Sequence, residues 1–287
     1  MTAFTVAPAY GVELSCYDSG GAGPAVVLLH GLAGSAREFF PTADAFPEYR
    51  VILVDLRGHG GSTRVPPGAA RSDYVSDVVT VIEHVGGPVV LVGQSMGAHT
   101  AMLVAAERPD LVGGLVLLEC SAAGGDVEGH LAIGDYFRSW PTPFSSREAA
   151  RSFLGDGPLA QAWAEDLEER ADGFRPRFDS DVMAEAAAGL SAPRWKEWHA
   201  VRAPALVVYG GRGMFTPTPR TRSFSWVTGF RGLTCPRRRM TPTWTLSTTG
   251  WTPSAVSWTA KGVDSAGAAP RTGGRWPVRA AWCGRRQ

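Results

Sequence analysis

A serine in a predicted tight turn is the side chain of this sequence best suited to nucleophilic chemistry. Ser95 stands in Gly93-Gln94-Ser95-Met96-Gly97, after an apolar run at 89–92 and before a helix-like segment. Small residues on both sides allow a sharp turn, and the following helix directs N–H groups toward developing negative charge. The pattern predicts that Ser95 is a nucleophile; the alternative is a plain turn whose serine caps the helix.

A second glycine-containing loop supplies the groups that such a nucleophile needs. His30-Gly31-Leu32-Ala33-Gly34 follows the apolar run that begins at residue 25. There the backbone would pass over the serine, so that the N–H groups of Leu32 and Met96 together bind an oxyanion. Because His30 belongs to the strand end, we interpret it as a structural loop residue and not as a base.

The elements that must position these loops follow an alternating order. Buried-strand patterns, rich in valine and leucine, occur at 25–30, 51–56, 89–93, 114–119 and 205–210. Helix-length segments separate the first four, with Ser72 as a candidate N-cap and Pro109 as a helix end. This alternation predicts an α/β fold with a doubly wound, mostly parallel sheet.

The alternation is interrupted at 121–200, which is helical in pattern and rich in aromatic residues. An insertion after the carboxyl end of a strand lies above the sheet, where α/β folds place the ligand crevice. We therefore predict a helical lid with an apolar underside. The alternative is that these aromatic residues only form the lid's own core.

Composition excludes several classes of protein. The chain has 287 residues, 44% of them hydrophobic and 19% charged, which is typical of a globular protein. No apolar run is long enough to span a bilayer, and the first residues do not resemble a secretory signal. Four cysteines without metal-like spacing predict neither a disulfide scaffold nor a metal site. A cytoplasmic location is the expectation.

The net charge of +1 conceals two unlike parts. Residues 1–215 carry 16 Lys/Arg and 26 Asp/Glu, a balance of −10, whereas residues 216–287 carry 12 basic residues and one acid, a balance of +11. Six of the ten tryptophans also lie in this tail, where no helical or strand period is sustained. We interpret 216–287 as an aberrant, poorly ordered segment; a nucleic-acid-binding arm is the less favoured reading.

The motifs HGLAG, DLRGHGGS and GQSMGA, in this order and spacing, make residues 1–215 resemble the α/β-hydrolase superfamily. The resemblance implies an eight-stranded sheet, a lid after the sixth strand and a Ser–acid–His triad in that chain order. It also implies no metal and no organic cofactor. We therefore predict that the chain is divided into four segments: the first part of the core at 1–120, the lid at 121–200, the seventh strand at 201–215, and the atypical tail at 216–287.

The expected triad is incomplete. In the family's commonest form the acid follows the seventh strand, but the loop 209–215 contains no carboxylate. Some members carry it after the sixth strand, where this chain has Glu119, which we predict to be the triad acid. The alternative is an ordinary strand-end carboxylate. The family's histidine follows the eighth strand, yet the last histidine of this sequence is His199.

These features predict a serine hydrolase, an esterase, thioesterase or lactonase, for a small apolar acyl substrate, with no nucleic-acid or membrane partner. A perhydrolase would use the same residues. The alternative is a catalytically inactive chain, either a pseudo-enzyme or the product of a shifted reading frame. Read from the third base of each codon, 239–245 is able to encode His-Asp-Ala-His-Leu-Asp, similar to the loop in which this family carries its histidine. Oligomeric state stays open.

Overall fold

The computed structural model describes residues 1–208, 244–247 and 250–253. Its strands and helices are β1 (Thr2–Ala9), β2 (Val12–Asp18), β3 (Ala25–Leu29), α1 (Phe40–Asp44), β4 (Arg50–Val54), α2 (Arg71–Val85), β5 (Val89–Gln94), α3 (Met96–Glu107), β6 (Val112–Leu118), α4 (Val127–Arg138), α5 (Arg147–Leu154), α6 (Pro158–Asp166), β7 (Glu168–Arg170), β8 (Gly173–Arg175), α7 (Ser180–Ala188), α8 (Trp195–Ala200), β9 (Ala205–Val208), β10 (Trp244–Ser247) and β11 (Gly250–Pro253).

One mostly parallel sheet organises the core. Its strand order is β1-β2-β4-β3-β5-β6-β9. The first two strands pair antiparallel, β2 pairs antiparallel with β4, and the other neighbours are parallel. The predicted α/β fold is therefore confirmed. The resemblance implied an eighth strand in the tail; seven strands form this sheet in the described part of the chain, and most of 216–287 lies outside it.

Apolar runs form the central strands because both faces of the sheet are covered. Val27 and Leu29 on β3, Ile52 on β4 and Leu91 on β5 are fully buried. Leu28 and Leu53 instead belong to a second apolar cluster with Phe39, on the opposite face. Burial on both faces explains why these strands are continuous in valine and leucine rather than alternating. Their carboxyl ends consequently meet at one edge.

The segment between β6 and β9 contains five helices and also a short hairpin. Helices α4, α5, α6, α7 and α8 fit the helical prediction for 121–200, but that prediction is wrong at 168–170, where the chain forms a strand. The chain leaves α6 at Leu167 and forms β7, which pairs with β8. Aromatic side chains of this segment pack on each other, with Phe137 and Trp140 5.6 Å apart between ring centroids. Many of them thus form the segment's own core.

Two boundary predictions are corrected. Helix α2 begins at Arg71, and Ala70 occupies the N-cap position, so the predicted cap Ser72 lies inside the first turn. Asp73 accepts a hydrogen bond from the Ala70 N–H at 3.0 Å, which replaces a serine cap. The segment after Ser35 forms a 3₁₀ turn (Ala36–Phe39) and the short α1 rather than one helix. Across the described residues, no helix is long and apolar enough to cross a membrane.

Candidate active site

Ser95 occupies the turn between β5 and α3 with a backbone conformation that is rare for a non-glycine residue. Its φ is 50° and its ψ is −113°. Its N–H donates to the Leu118 carbonyl at 2.8 Å, which fixes the turn against β6. Strained backbone of this kind is concentrated at functional sites, because the surrounding fold must hold it in place.

The glycines on either side of Ser95 are required by close backbone approach. A Cβ atom on Gly93 would lie 2.4 Å from the carbonyl carbon of Gly97, and one on Gly97 would lie 2.4 Å from the Leu29 carbonyl oxygen. Both contacts are with backbone that other elements hold, so no side chain is accommodated. The G-x-S-x-G spacing therefore has a direct steric cause in this fold.

The loop after β3 lies against Ser95. A Cβ atom on Gly31 would come within 3.5 Å of the Ser95 Cβ and within 2.2 Å of the Gln94 Oε1 atom. The Gly34 N–H donates to the Gly31 carbonyl at 3.1 Å, closing a turn in which Ala33 has a φ of 60°. This geometry brings the loop that contains Leu32 to the nucleophile turn.

His30 connects two loops at the edge of the sheet. It is fully buried, its Nε2 accepts the Leu56 N–H at 3.0 Å, and its Nδ1 lies 2.7 Å from the Gly31 carbonyl oxygen. Burial lowers the pKa of His30, which keeps the ring neutral with the proton on Nδ1. Both ring nitrogens are thus engaged in holding the loop next to Ser95.

Three polar residues, Asp55, Arg57 and Asp77, support the same loops. The Asp55 carboxylate accepts the Ala36 N–H at 2.7 Å and the Gly61 N–H at 2.8 Å. Arg57 forms a bidentate pair with Asp77, with both N···O distances at 2.6 Å. The motif DLRGHGGS was a signal for the first two, whereas nothing in the sequence marked Asp77 as a partner.

Glu119 lies at the carboxyl end of β6, beside the nucleophile turn. It follows Leu118, which accepts the Ser95 N–H, and its own N–H donates to the Val208 carbonyl at 2.9 Å. Its φ of 53° is again unusual for a non-glycine residue. The backbone thus holds this carboxylate between the ends of β5 and β9, at the edge of the sheet where Ser95 stands.

All six histidines belong to the described residues, and none of them hydrogen-bonds to the Ser95 hydroxyl there. His84 stacks on Phe4 with 5.5 Å between ring centroids. In four other histidines, Nδ1 lies close to an oxygen atom. The partner is a main-chain oxygen for His30 (Gly31), His59 (Arg57) and His199 (Trp195), and it is the Ser191 hydroxyl for His130. His99 is buried on α3. Among the described residues, the site therefore holds a serine and a carboxylate without an imidazole hydrogen-bonded to the serine.

A metal has no evident place in this part of the molecule. Within 1–208 and the two short tail strands, no group of three or more His, Cys, Asp or Glu side chains is arranged to hold one. The predicted tail and the loop 209–215 lie almost wholly outside the described residues.

Comparison with known proteins identifies relatives over most of the chain. It is 28% identical over 200 residues to the 2-(acetamidomethylene)succinate hydrolase of Mesorhizobium japonicum, covering 66% of this chain and 71% of that enzyme. It is 32% identical over 224 residues to the 2-hydroxy-6-oxononadienedioate/2-hydroxy-6-oxononatrienedioate hydrolase of Burkholderia vietnamiensis, covering 72% and 77%.

The fold agrees with these sequence matches. The crystal structure of E-2-(acetamidomethylene)succinate hydrolase superposes with a TM-score of 0.69 at 25% identity, covering 78% of this chain and 86% of that one. The family described as the alpha/beta hydrolase family matches residues 26–231, well over half of the sequence. The chain therefore belongs to the alpha/beta hydrolase family.

Proposed function

We propose that this chain is built as a serine hydrolase that acts on an ester, thioester or lactone bond of a small acyl compound. The observation that carries the proposal is the strained turn at Ser95, with φ 50° and ψ −113°, between β5 and α3. A serine that only capped α3 would place its oxygen on the helix N–H groups, and the Ser95 side chain makes no such bond.

The proposed reaction proceeds in two steps at Ser95. The hydroxyl oxygen attacks the carbonyl carbon while a base takes its proton, and the carbonyl oxygen becomes an oxyanion bound by the N–H groups of Leu32 and Met96. Collapse breaks the bond to the leaving group, which receives the proton. Water then attacks the acyl-serine in the same way and releases the acid. Glu119 would orient the base.

The activities for which the relatives are named support a small-molecule substrate. Two of them hydrolyse succinate or dienedioate compounds, and a structural neighbour is an enol-lactonase. We propose a substrate of that size for this chain. A cytoplasmic setting is also proposed, in agreement with Cys16, a buried free thiol whose pKa burial raises to about 12.

A second candidate is a chain that keeps the fold and lacks the activity. The observation that favours it is the placement of the six histidines, none of which reaches Ser95. Without its base the serine loses most of its activation, although oxyanion binding alone leaves roughly 10³–10⁴-fold catalysis over water.

Labelling with a fluorophosphonate probe tests the assignment of the nucleophile. We expect slow labelling of the chain, none in Ser95→Ala, and unchanged labelling in Ser72→Ala, a control on the exposed face of α2. Labelling that survives Ser95→Ala would refute the assignment. Turnover of a short-chain p-nitrophenyl ester, measured on the same three proteins, separates the hydrolase from the inactive scaffold.

A further inference from the structure

Two arginines and two histidines gather where both ends of the lid meet the core. Arg71 begins α2, His99 lies in the first turns of α3, His130 lies on α4, and Arg194 precedes α8. Arg71 contacts Thr100, the residue after His99. Besides burial, the charges of Arg71, Arg194 and His130 lower the pKa of His99, to about 3. No sequence pattern indicates this cluster, because its members are scattered over more than 120 positions.

Arg71 is a buried cation without a carboxylate partner in the described part of the chain. It is 5% exposed, its guanidinium carbon lies 4.3 Å from the centre of the Tyr74 ring, and Nη2 donates to the Thr100 hydroxyl. Its Nε and Nη1 atoms are buried without a hydrogen-bond partner. Burial lowers the pKa of Arg71 to about 10, so the side chain remains charged at neutral pH. A buried charge of this kind calls for a counter-charge.

His99 stands next to this cation in a similar condition. It is 4% exposed, and among the described residues neither of its ring nitrogens has a hydrogen-bond partner. Native structures rarely leave buried polar atoms unsatisfied, and a bound water or ion is one explanation for those that remain. The two side chains together present four nitrogen atoms without a partner in this part of the chain, two on each side chain.

The open side of the cluster is formed by the two ends of the lid. The Arg194 N–H donates to the Ala122 carbonyl at 2.8 Å, and His130 Nδ1 lies 2.8 Å from the Ser191 hydroxyl oxygen. One Arg194 nitrogen pairs with Glu197 at 3.1 Å, while its Nε atom is buried without a partner. Arg194 and His130 are half-buried, so the cluster extends from the buried Arg71 and His99 toward solvent on this side.

We propose that Arg71, His99, His130 and Arg194 form a binding site for a small oxoanion, a carboxylate or an inorganic anion such as sulfate or phosphate. The anion would provide the missing counter-charge and accept hydrogen bonds from the free guanidinium N–H groups. Guanidinium groups suit this role because their planar array of donors matches carboxylate and phosphate oxygens. By contacting both ends of the lid at once, the anion also fastens the lid to α2 and α3.

The anion has two possible sources. One is a free ion of the medium; the other is a carboxylate of the substrate, since His99 stands one helical turn after Ser95, whose carbonyl accepts the His99 N–H at 3.0 Å. The second source rests on the proposed function, and the first does not.

Thermal unfolding in the presence of sulfate or acetate tests the site. At about a hundredfold excess over Kd we expect the midpoint of the wild-type protein to rise on the order of 5 °C more than that of Arg71→Met. Arg108→Met, which removes a partly exposed arginine just after the last residue of α3, at the opposite end of that helix from His99, should behave as the wild type does. General salt effects act on all variants alike and cancel in this comparison.

Arg194→Met, at the half-exposed edge of the cluster, should show the same reduced rise of the unfolding midpoint. It replaces Arg71→Met in the test if Arg71→Met does not fold. Equal midpoint shifts in the wild type and all folded variants would overturn the proposal.

Isothermal calorimetry of ligand binding to Ser95→Ala identifies the source of the anion. Competition between methyl hydrogen succinate and sulfate, with no binding of methyl butyrate, identifies a substrate carboxylate; binding of sulfate alone identifies a free ion. Loss of Ser95 labelling with anion binding intact would reject the proposed function and keep the site.

Discussion

Gly93 and Gly97 approach each other so closely that a Cβ atom on the first would lie 2.4 Å from the carbonyl carbon of the second. The close contact pins the end of β5 to the first turn of α3, with Ser95 between them. Backbone atoms on both sides are held by the sheet and the helix, so neither is free to move away. The geometry of the turn at Ser95 therefore requires glycine at both positions.

Gly93→Ala is expected to destabilise the protein by more than about 2 kcal/mol, because the added methyl group overlaps fixed backbone. The measurement is the free energy of unfolding in urea. Gly157→Ala is the matched control: Gly157 is exposed, its φ is −66°, and a Cβ atom there meets nothing within 4 Å. A loss at Gly93 no larger than at Gly157 would show that the turn adjusts.

The buried pair of Arg57 and Asp77 predicts a second large effect. Asp77 is fully buried and Arg57 is 4% exposed, so Asp77→Asn removes the buried counter-charge and leaves the guanidinium only the partly exposed Asp73, 3.6 Å from Nη1. We expect a loss of about 3 kcal/mol of stability, the lower end of the range for a broken buried pair, because Asp73 remains. Asp110→Asn breaks the exposed pair of Asp110 with Arg108 and should cost no more than about 1 kcal/mol. Similar losses in the two variants would contradict the assignment of the buried pair as a loop support.

Sequence patterns predicted the scaffold well and the side-chain networks poorly. The strands at 25–29 and 89–94 were predictable because their burial on both faces leaves a continuous apolar run. Ser95 was predictable because its turn demands glycines at fixed spacing. Asp77 and Arg71 were not, since an isolated charged residue on a helix looks the same whether it faces water or a partner distant in sequence. The hairpin β7–β8 was missed because its strands are only three residues long.

Two carboxyl groups lie close to Ser35 in the loop after β3. They belong to Glu38, in the turn that Ser35 caps, and to Asp166, at the end of α6 in the segment between β6 and β9. Burial first, and then repulsion between the two acids, raises the pKa of Glu38 to about 8. Burial also raises the pKa of Asp166 to about 6, although Arg177 and Arg37 lie 3.7 and 3.9 Å away.

This arrangement predicts a pH-dependent stability. A carboxyl group whose pKa is raised by folding stabilises the fold fully below its unfolded pKa, near 4.5, and that stabilisation is lost as the pH rises through about 8. Relative to Glu38→Gln, the wild type should therefore lose about 1–2 kcal/mol between pH 5 and pH 8.5, a value reduced because Glu38 is only half-buried. Glu48→Gln, at an exposed site, should follow the wild type. Parallel pH curves for all three proteins would contradict the prediction.

Glu119→Gln should affect catalysis only where a histidine is present to be oriented. In a chain whose tail supplies that histidine, we expect kcat to fall roughly 10²–10⁴-fold with little change in KM. In the 287-residue chain the same substitution should leave the slow labelling of Ser95 within about twofold, because no imidazole depends on the carboxylate. An unchanged kcat in the histidine-bearing chain would assign the acid to another residue.

The last prediction is that residues from about 216 onward are translated from a shifted reading frame. Four dipeptides of the tail bear on it: Met240-Thr241, Trp244-Thr245, Trp251-Thr252 and Trp258-Thr259. Methionine and tryptophan codons end in G and threonine codons begin with AC, so a frame read from the third base contains GAC, an aspartate, at each. A tail with one acidic residue thus encodes at least four in the other frame, the first two of them within the potential His-Asp-Ala-His-Leu-Asp.

Sequencing the gene around residues 214–245 decides the question, and a shifted frame that stops early or lacks the histidine codon would end the hypothesis. If the hypothesis is correct, moving the frame by one or two bases near residues 214–219 should restore an acidic C-terminal segment and raise p-nitrophenyl ester turnover by at least about 10³-fold, the usual effect of a missing triad member. That gain should disappear in Ser95→Ala made in the repaired chain, and persist in Ser72→Ala.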